Sequence, residues 1–332
     1  MTTDFKKYGW KVNEANLGTL PPEAPEAAKD LTKWLTLEGR GSSLAEWLGC
    51  VSDDGRIHGK FWHIGAWTHR MSHSSPNQAN IMSAFHGTPK TAVEEVKAKY
   101  DGELRACWES DNYLVGCDAE GIQLRILAHY MKSPAYVKAI TEGSKSDETD
   151  IHNLNRKALG KVCKDRDVAK TFIYAWLLGA SKTKVGEILG CSVGQASNAE
   201  KSFLDSLPEL KKIKSLMIPK DAMRGYFVGL DGRKVACDSE HHMLAGYLQN
   251  GEKVIMSKWI LKWTQRANEE SLWYKLVDIV HDETQTEVKT VEDGERLLEI
   301  QRQTMVEVGE ELGLFCPLAA DGNVGKNWAQ TH

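Results

Sequence analysis

Two acidic positions in this chain are placed to bind a cation. Asp118 follows the apolar run 113–117, which predicts the end of a buried strand, and Asp282 and Glu283 lie at a turn between two further predicted strands. Carboxylates brought together repel each other unless a cation lies between them, and Mg²⁺ prefers such oxygen ligands. The sequence therefore predicts a divalent-metal site, although either feature taken alone is also compatible with an exposed turn.

A predicted helix between the two acidic positions carries a cationic and aromatic face. Arg166, Lys170 and Tyr174 are spaced four residues apart, so their side chains share one side of the helix. A guanidinium and an ammonium one turn apart suit a triphosphate, and a tyrosine one turn further is placed to stack on a base. Two cations alone are also typical of a solvated basic face. Combined with two metal-binding acids, this pattern indicates phosphoryl transfer.

Other motifs in the sequence predict no site. The segment 179–183, Gly-Ala-Ser-Lys-Thr, lacks the glycine directly before the lysine and does not follow a strand, so it is not a phosphate-binding loop. His241, His242 and the cysteines do not have metal-ligand spacing. No nucleophile elbow or dinucleotide fingerprint is present.

The elements that must position these groups mix helices and strands without regular alternation, which favours an α+β fold over a doubly wound one. Residues 1–25 are expected to form an extended arm, and Gly39 and Gly41 are expected to break the first helix into two pieces. Helical patterns are predicted at 26–48, within 89–110, over most of 122–218, at 241–269 and at 291–312. Hairpins are predicted at 227–235 and 276–288, and a hairpin turn at 53–56.

The composition is that of an ordinary globular protein. The 332 residues are 41% hydrophobic and 27% charged, and the net charge of -4 neither supports nor excludes a nucleic-acid partner. Seven scattered cysteines with no Cys-x-x-Cys pair indicate reduced thiols in a cytoplasm-like compartment, which is the host cell cytoplasm if the protein is viral. No apolar run approaches the roughly 18 residues of a membrane span, and no membrane partner is expected.

The order and spacing of these motifs resemble the family A (polymerase I-like) DNA polymerases, in particular their bacteriophage replicative branch. The resemblance runs from about residue 5 to the end of the chain. It is carried by Asp118–Arg125 (first metal motif), Arg166–Tyr174 (fingers helix), His281–Glu283 (third motif), Thr68–Asn77 (the Thr-Gly-Arg…Pro-Asn element), Gln249 and the ending Gly325–Trp328.

This resemblance implies a polymerase right hand, with an antiparallel palm sheet, helical fingers and a partial thumb. The implied domains are 1–50 (arm and thumb remnant), 51–130 (palm, first part), 131–248 (fingers) and 249–332 (palm, second part). The implied activity is DNA-templated DNA synthesis, in which dNTPs are added to the primer 3′-hydroxyl of a primer-template.

The resemblance also implies a role for each matched residue. Asp118 and Asp282 would bridge two Mg²⁺ ions with the Ala119 carbonyl, and Glu283 would support them. Lys170 would donate a proton to pyrophosphate. The triphosphate would be held by Arg166, Lys170 and His152, the nucleotide would lie against Tyr174, and the minor groove of the primer-template would be contacted by Arg70, Asn80, Gln249 and His281.

One departure from the family pattern concerns sugar selection. The family usually has a glutamate at the position of Gln123, and that residue excludes the ribose 2′-hydroxyl. An amide keeps the bulk and loses the charge, so we expect weaker but persistent discrimination against ribonucleotides.

A second departure is that an exonuclease-like domain and a full thumb are expected before this region and do not precede it. We therefore expect that a separate polypeptide supplies both, and that this chain is the polymerase half of a split or truncated replicative enzyme.

Two other functions remain open. A single-subunit RNA polymerase-like enzyme shares the palm chemistry, but Gln123 and the pair Asp282–Glu283 favour DNA synthesis. A non-catalytic DNA-binding subunit on a polymerase fold is disfavoured because the predicted metal-binding and triphosphate-binding side chains are all retained.

Overall fold

The computed structural model describes residues 12–18, 20–21 and 23–331. The helices, in chain order, are α1 Glu14–Leu17, α2 Glu26–Gly49, α3 Ala92–Ala106, α4 Ile122–Met131, α5 Pro134–Thr141, α6 Ile151–Leu159, α7 Arg166–Leu177, α8 Lys182–Leu189, α9 Val193–Ser206, α10 Pro208–Lys212, α11 Ile218–Arg224, α12 Glu240–Glu269, α13 Val291–Glu311 and α14 Trp328–Thr331. The strands are β1 Lys60–Trp62, β2 Ser72–Ser74, β3 Glu109–Ala119, β4 Tyr226–Val228, β5 Lys234–Ala236, β6 Tyr274–Val280, β7 Glu283–Val288 and β8 Ala320–Asn327.

A four-stranded antiparallel sheet in the order β6-β7-β3-β8 is the frame of the molecule. Its central strand β3 buries Val115 and Cys117 completely on the face that α13 covers. On the opposite face α14 comes so close that a Cβ on Gly116 would lie 2.5 Å from the Thr331 carbonyl oxygen. The sheet is therefore packed on both sides, which fixes the position of the acidic end of β3.

The helical region α4 to α11 comes, in the sequence, between β3 and the other three strands of the four-stranded sheet. Its helices begin at polar caps: Asp150 accepts the Asn153 backbone N–H at 3.1 Å, and Asp165 accepts the Val168 N–H at 2.8 Å. Helix α7 buries Phe172 against other apolar side chains, leaving its opposite side free for the predicted cationic face.

The long helix α12 connects the helical region to the sheet. Trp259 and Trp263 are fully buried in it, and the Trp259 indole N–H donates to the Gln301 carbonyl of α13 at 2.8 Å. Because α12 also packs on α4, which follows β3, it passes directly beneath the predicted site.

The predicted break at Gly39 and Gly41 is wrong, since α2 is one continuous helix. Glycine costs roughly 1 kcal/mol in a helix interior relative to alanine. That cost is offset at this point because Arg40 forms two hydrogen bonds with the nearly buried carboxylate of Asp101 on α3, at 2.9 and 3.0 Å. A long-range ion pair thus keeps the helix intact where the local sequence favours a break.

The predicted extended arm, 1–25, lies partly outside the described residues. Within the described part it is not fully extended, because α1 forms a short helical turn. The Asn13 side chain accepts the Asn16 backbone N–H at 2.9 Å, and this cap explains the turn.

The remaining predicted elements agree with the structure, and the α+β prediction is confirmed. The predicted domain boundaries stay predictions. All seven cysteines carry free thiols. Of the helices in the described part of the chain, none combines the length and the apolar character required to cross a membrane.

Candidate active site

The two acidic turns meet at one end of the sheet. Strands β3 and β7 are paired in a register that places Asp118 opposite Glu283, and the Ala119 backbone N–H donates to the Asp282 carbonyl at 2.9 Å. Asp118 and Asp282 are therefore at the ends of adjacent strands although 164 residues separate them in the sequence. The sheet register therefore places the two acidic residues of the predicted metal site at adjacent strand ends.

The electrostatic surroundings favour a cation at Asp282. Desolvation, followed by the negative charge of Glu252, raises the pKa of the Asp282 carboxyl to about 6. A desolvated carboxylate near another acid is stabilised when a cation binds to it. His281 adopts a left-handed conformation at φ 54°, and this lets the two-residue turn direct Asp282 towards the end of β3.

Glu283 lies beneath this turn and is held by three side chains. The Trp328 indole N–H and the Gln285 amide each donate to its Oε1 at 2.6 Å, and Arg105 lies 3.6 Å from Oε2. The Arg105 guanidinium also stacks over the Trp328 ring at 4.5 Å. Only 5% of Glu283 is exposed, so the geometry suits support of the turn.

On the cationic and aromatic face of α7, Tyr174 is the residue that lies near the acids. Burial, followed by the carboxylates of Asp282 and Asp118, raises the pKa of the Tyr174 hydroxyl. This places the tyrosine within electrostatic reach of both acids. Its ring lies 6.2 Å from the ring of His152, whose pKa falls to about 4 because of burial and the neighbouring Arg166 cation. His152 is thus a neutral ring next to Tyr174.

The two cations of α7 are in different states. Lys170 is exposed. Arg166 is bound to Asp150, the cap of α6, with Nε donating to Oδ2 at 2.8 Å. Burial alone would raise the Asp150 pKa, but the hydrogen bonds from Arg166 and Asn153 hold it below the ordinary value. A triphosphate would compete with Asp150 for the guanidinium.

The residues predicted to contact the minor groove come from three segments. Arg70 pairs with Glu252 on α12, and Gln249, one turn earlier on the same helix, accepts from the Thr68 hydroxyl at 3.2 Å. Desolvation and the Arg70 cation lower the pKa of His281. These three lie around one region beside the acidic turn.

Asn80 is also exposed, at the end of the 3₁₀ turn Gln78–Asn80. No described contact joins it to the other three residues, and contact with the minor groove stays a prediction for all four.

The oxygen groups at the strand ends fit Mg²⁺ chemically. Two carboxylates next to a backbone carbonyl at Ala119 are hard ligands, and Mg²⁺ completes its octahedral shell with waters and substrate phosphates. Among residues 12–18, 20–21 and 23–331, no group of three or more His, Cys, Asp or Glu side chains is arranged to hold a metal.

Sequence reasoning gave no site role to four residues: Asp150, Glu252, Arg105 and Trp328, the last named only within the ending Gly325–Trp328. The cap signal at the start of α6 was visible, but its pairing with Arg166 sixteen residues later was not. Glu252 had no signal, because it lies in a helix that is buried on most sides.

Comparison with known proteins agrees with this geometry. Residues 1–330 match DNA polymerase family A. The chain is 31% identical to the DNA-directed DNA polymerases of Enterobacteria phage T3 and of Escherichia phage T7, in each case over 92% of this chain and 46% of the relative. It is 24% identical to DNA polymerase I of Aquifex aeolicus, over 83% of this chain and 47% of the relative. The chain thus spans about half the length of these curated relatives.

The fold has a solved counterpart. The POL domain of Pol1 from M. smegmatis, in complex with a DNA primer-template and dNTP, superposes with a TM-score of 0.80 at 20% identity, covering 98% of this chain and 57% of that one. This likeness confirms the predicted polymerase fold. Together with the match over nearly all residues, it leads to one conclusion: the chain belongs to DNA polymerase family A.

Proposed function

We propose that this chain is a DNA-templated DNA polymerase that extends a primer with dNTPs and releases pyrophosphate. The observation that carries the proposal is the meeting of Asp118 and Asp282 at adjacent strand ends, with Tyr174 in electrostatic reach of both. The family supports this activity, and the relatives from phages T3 and T7 are DNA-directed DNA polymerases.

In this proposal Asp118, Asp282 and the Ala119 carbonyl would hold two Mg²⁺ ions. When bound, the metals would lower the pKa of the primer 3′-hydroxyl and neutralise charge on the leaving pyrophosphate. Asp118 and Asp282 position the reacting groups, and Glu283 keeps the turn in place through its contacts with Trp328 and Gln285.

The α7 face binds the nucleotide. Arg166 and Lys170 take the triphosphate oxygens, with His152 beside them as a neutral ring, and Lys170 donates a proton to the leaving pyrophosphate. Tyr174 lies against the incoming nucleotide. The sequence-independent part of recognition comes from minor-groove contacts, where acceptors common to all base pairs are available to Arg70, Asn80, Gln249 and His281.

The test is primer extension on a defined template. We expect template-directed dNTP incorporation that depends on Mg²⁺ and stops with EDTA. Synthesis from ribonucleotides without a primer would instead indicate an RNA polymerase. DNA binding without incorporation under any divalent metal would indicate a non-catalytic subunit, and either result would contradict the proposal.

We also propose that a separate subunit supplies an exonuclease and the remaining thumb. Helix α2 supports this, because Leu31, Trp34 and Leu37 are 40%, 56% and 40% exposed on it. Exposed apolar groups of this size on one helix are typical of contact with another surface. The proposed setting is the cytoplasm, or the host cytoplasm for a viral protein.

Purification of the native protein from its source tests the subunit. We expect a stoichiometric second chain that has exonuclease activity. Its addition should also lengthen the products that the first chain synthesises, because it supplies the remaining thumb. Trp34→Glu should weaken that association, whereas the exposed Met223→Glu, on α11, should not. A single native chain of about twice this mass would contradict a separate subunit.

A further inference from the structure

Glu252 is a buried carboxylate at the centre of the proposed site. It lies on α12, is 1% exposed, and pairs through Oε2 with the Arg70 guanidinium. The same oxygen accepts a hydrogen bond from the Gln123 side-chain amide at 3.2 Å. The carboxylate therefore links Arg70, which is proposed to contact the primer-template, to Gln123, which is expected to face the sugar of the nucleotide.

The burial of this carboxylate is costly. Its second oxygen, Oε1, is buried and has no hydrogen-bond partner within the described part of the chain. Burial raises the Glu252 pKa despite the opposing effect of Arg70. A buried ion pair with an incompletely satisfied partner is weak evidence for stability, because apolar side chains of similar size are often equally stable or better. Its geometry therefore calls for a functional explanation.

The carboxylate fixes the orientation of the Gln123 amide. An ionised carboxylate only accepts hydrogen bonds, so the amide must turn its NH₂ group towards Glu252. The carbonyl oxygen of Gln123 is then held at the other end of the amide. It is buried and has no partner among the described residues, which leaves an oriented acceptor beside the acidic turn. An amide held in this way presents only an acceptor on that side, as a glutamate would.

We propose that Glu252 is a specificity-determining and positioning residue, which supplies from α12 the carboxylate that the family usually has at position 123. Through Arg70 and Gln123 it couples the position of the primer end to the selection of deoxyribose over ribose. This proposal rests on the proposed polymerase activity and names the residue that controls its sugar selection.

The first test is Glu252→Gln, which keeps the shape and removes the charge. We expect the ratio of kcat/KM for dNTP to that for the matching rNTP to fall by about tenfold or more, the size of one lost charge-assisted hydrogen bond. The matched control is Glu287→Gln, which changes a carboxylate that is also 1% exposed but lies on β7 next to Asn112 and Lys275. Its ratio should equal that of the wild type.

The second test moves the charge. Gln123→Glu alone places two carboxylates in contact, so we expect kcat/KM for dNTP to fall by about tenfold or more. Glu252→Gln combined with Gln123→Glu restores one carboxylate and one amide, and should return activity and sugar selection to within about threefold of wild type. Because Gln123→Glu keeps the Arg70–Glu252 pair, it remains informative if Glu252→Gln fails to fold.

Several results would overturn the proposal. They are an unchanged sugar ratio in folded Glu252→Gln, an equal loss in Glu287→Gln, full activity of Gln123→Glu, or a double variant no better than the single ones. Folding is checked by thermal unfolding of each variant. If the wild-type chain does not extend primers, both the proposed function and the proposed role of Glu252 are contradicted. If the wild type is active and the sugar ratio of Glu252→Gln is unchanged, only the proposed role of Glu252 is contradicted.

Discussion

The two sides of the proposed site are held in different ways. The acidic side is fixed by backbone pairing between β3 and β7 and by the buried contacts of Glu283. The cationic side on α7 is held by a partly exposed side-chain pair, Arg166 with Asp150. Backbone register cannot be exchanged for a ligand, whereas a side-chain ion pair can.

This difference predicts that the two sides respond differently when metal and nucleotide bind. A preorganised acidic side costs no reorganisation when the metals and the 3′-hydroxyl arrive. In the proposed mechanism, Arg166 on α7 would instead exchange Asp150 for the triphosphate as each nucleotide binds. Four predictions test this contrast, in order of expected size.

The largest effect is expected from Asp282→Asn. Removing the charge should lower primer extension by roughly 10³-fold or more, because the cation loses a carboxylate ligand that is fixed in place. Asp321→Asn is the matched control: Asp321 lies opposite Asp118 on β8, but it is exposed and pairs with Arg302 at 2.5 Å. Comparable losses in both variants would show that the acidic side is not specifically organised around Asp282.

The next largest effect is expected from removing the hydrogen bond that Trp328 donates to Glu283 beneath the turn. Trp328→Phe keeps a ring over Arg105 but removes the indole N–H that donates to Glu283. We expect the free energy of unfolding to fall by about 1–3 kcal/mol, since the buried carboxylate loses a donor. Urea unfolding measures it, with Trp273→Phe, whose ring is flanked by Lys275 and Lys289, as the control. Equal stability of Trp328→Phe and wild type would contradict this support.

In the metal-free protein, a change of pH should change the stability contributions of Asp282, on the acidic side, and His152, on the cationic side, in opposite directions. The folded pKa of Asp282 is raised from 3.8 to about 6, so its contribution to stability is lost as the pH rises from about 4 through 6. The folded pKa of His152 is lowered from 6.5 to about 4, so its contribution is lost as the pH falls over that range.

Urea unfolding in EDTA between pH 4 and 7 checks both signs. With rising pH, wild type should lose stability relative to Asp282→Asn and gain stability relative to His152→Gln. Each of these two differences in the free energy of unfolding should change by up to about 1 kcal/mol per pH unit. The same sign for both differences would contradict the contrast.

The smallest effect is expected from Asp150→Asn. Asparagine still caps α6 but holds Arg166 less tightly, so the KM for dNTP should fall by up to about fivefold, the size of a partly exposed ion pair. Asp165→Asn, at the cap of α7, should leave the KM unchanged. A higher KM in Asp150→Asn would mean that Asp150 orients Arg166 for the nucleotide instead of competing with it.

Much of the fold follows from local sequence signals. The strands around Asp118 and Asp282 were predictable because apolar runs end at polar turns, and the helices because their caps and periodicity agree. The face shared by Arg166, Lys170 and Tyr174 follows from helical spacing alone. That the two acids meet was inferred from the order of the motifs, because no local rule gives sheet register between distant strands.

What sequence reasoning missed depends on long-range contacts. The continuity of α2 depends on an ion pair between residues 61 positions apart, and the support of Glu283 on a tryptophan 45 positions away. Glu252 could not be singled out, because α12 is buried on most sides and its polar residues form no separate face. These misses concern polar side chains whose partners come from another element, whereas the missed turn α1 depends on the local cap at Asn13.

The pairing of β3 with β7 also limits how the molecule can be altered. Because side chains alternate along a strand, inserting or deleting one residue in β3 before Asp118 would turn that carboxylate to the opposite face of the sheet. Reporter peptides and fluorophore-bearing loops should therefore be placed outside the sheet, and the exposed turn at 145–149 offers such a position. A library that varies residue identity in β3 while conserving its length should retain far more folded members than one that varies its length.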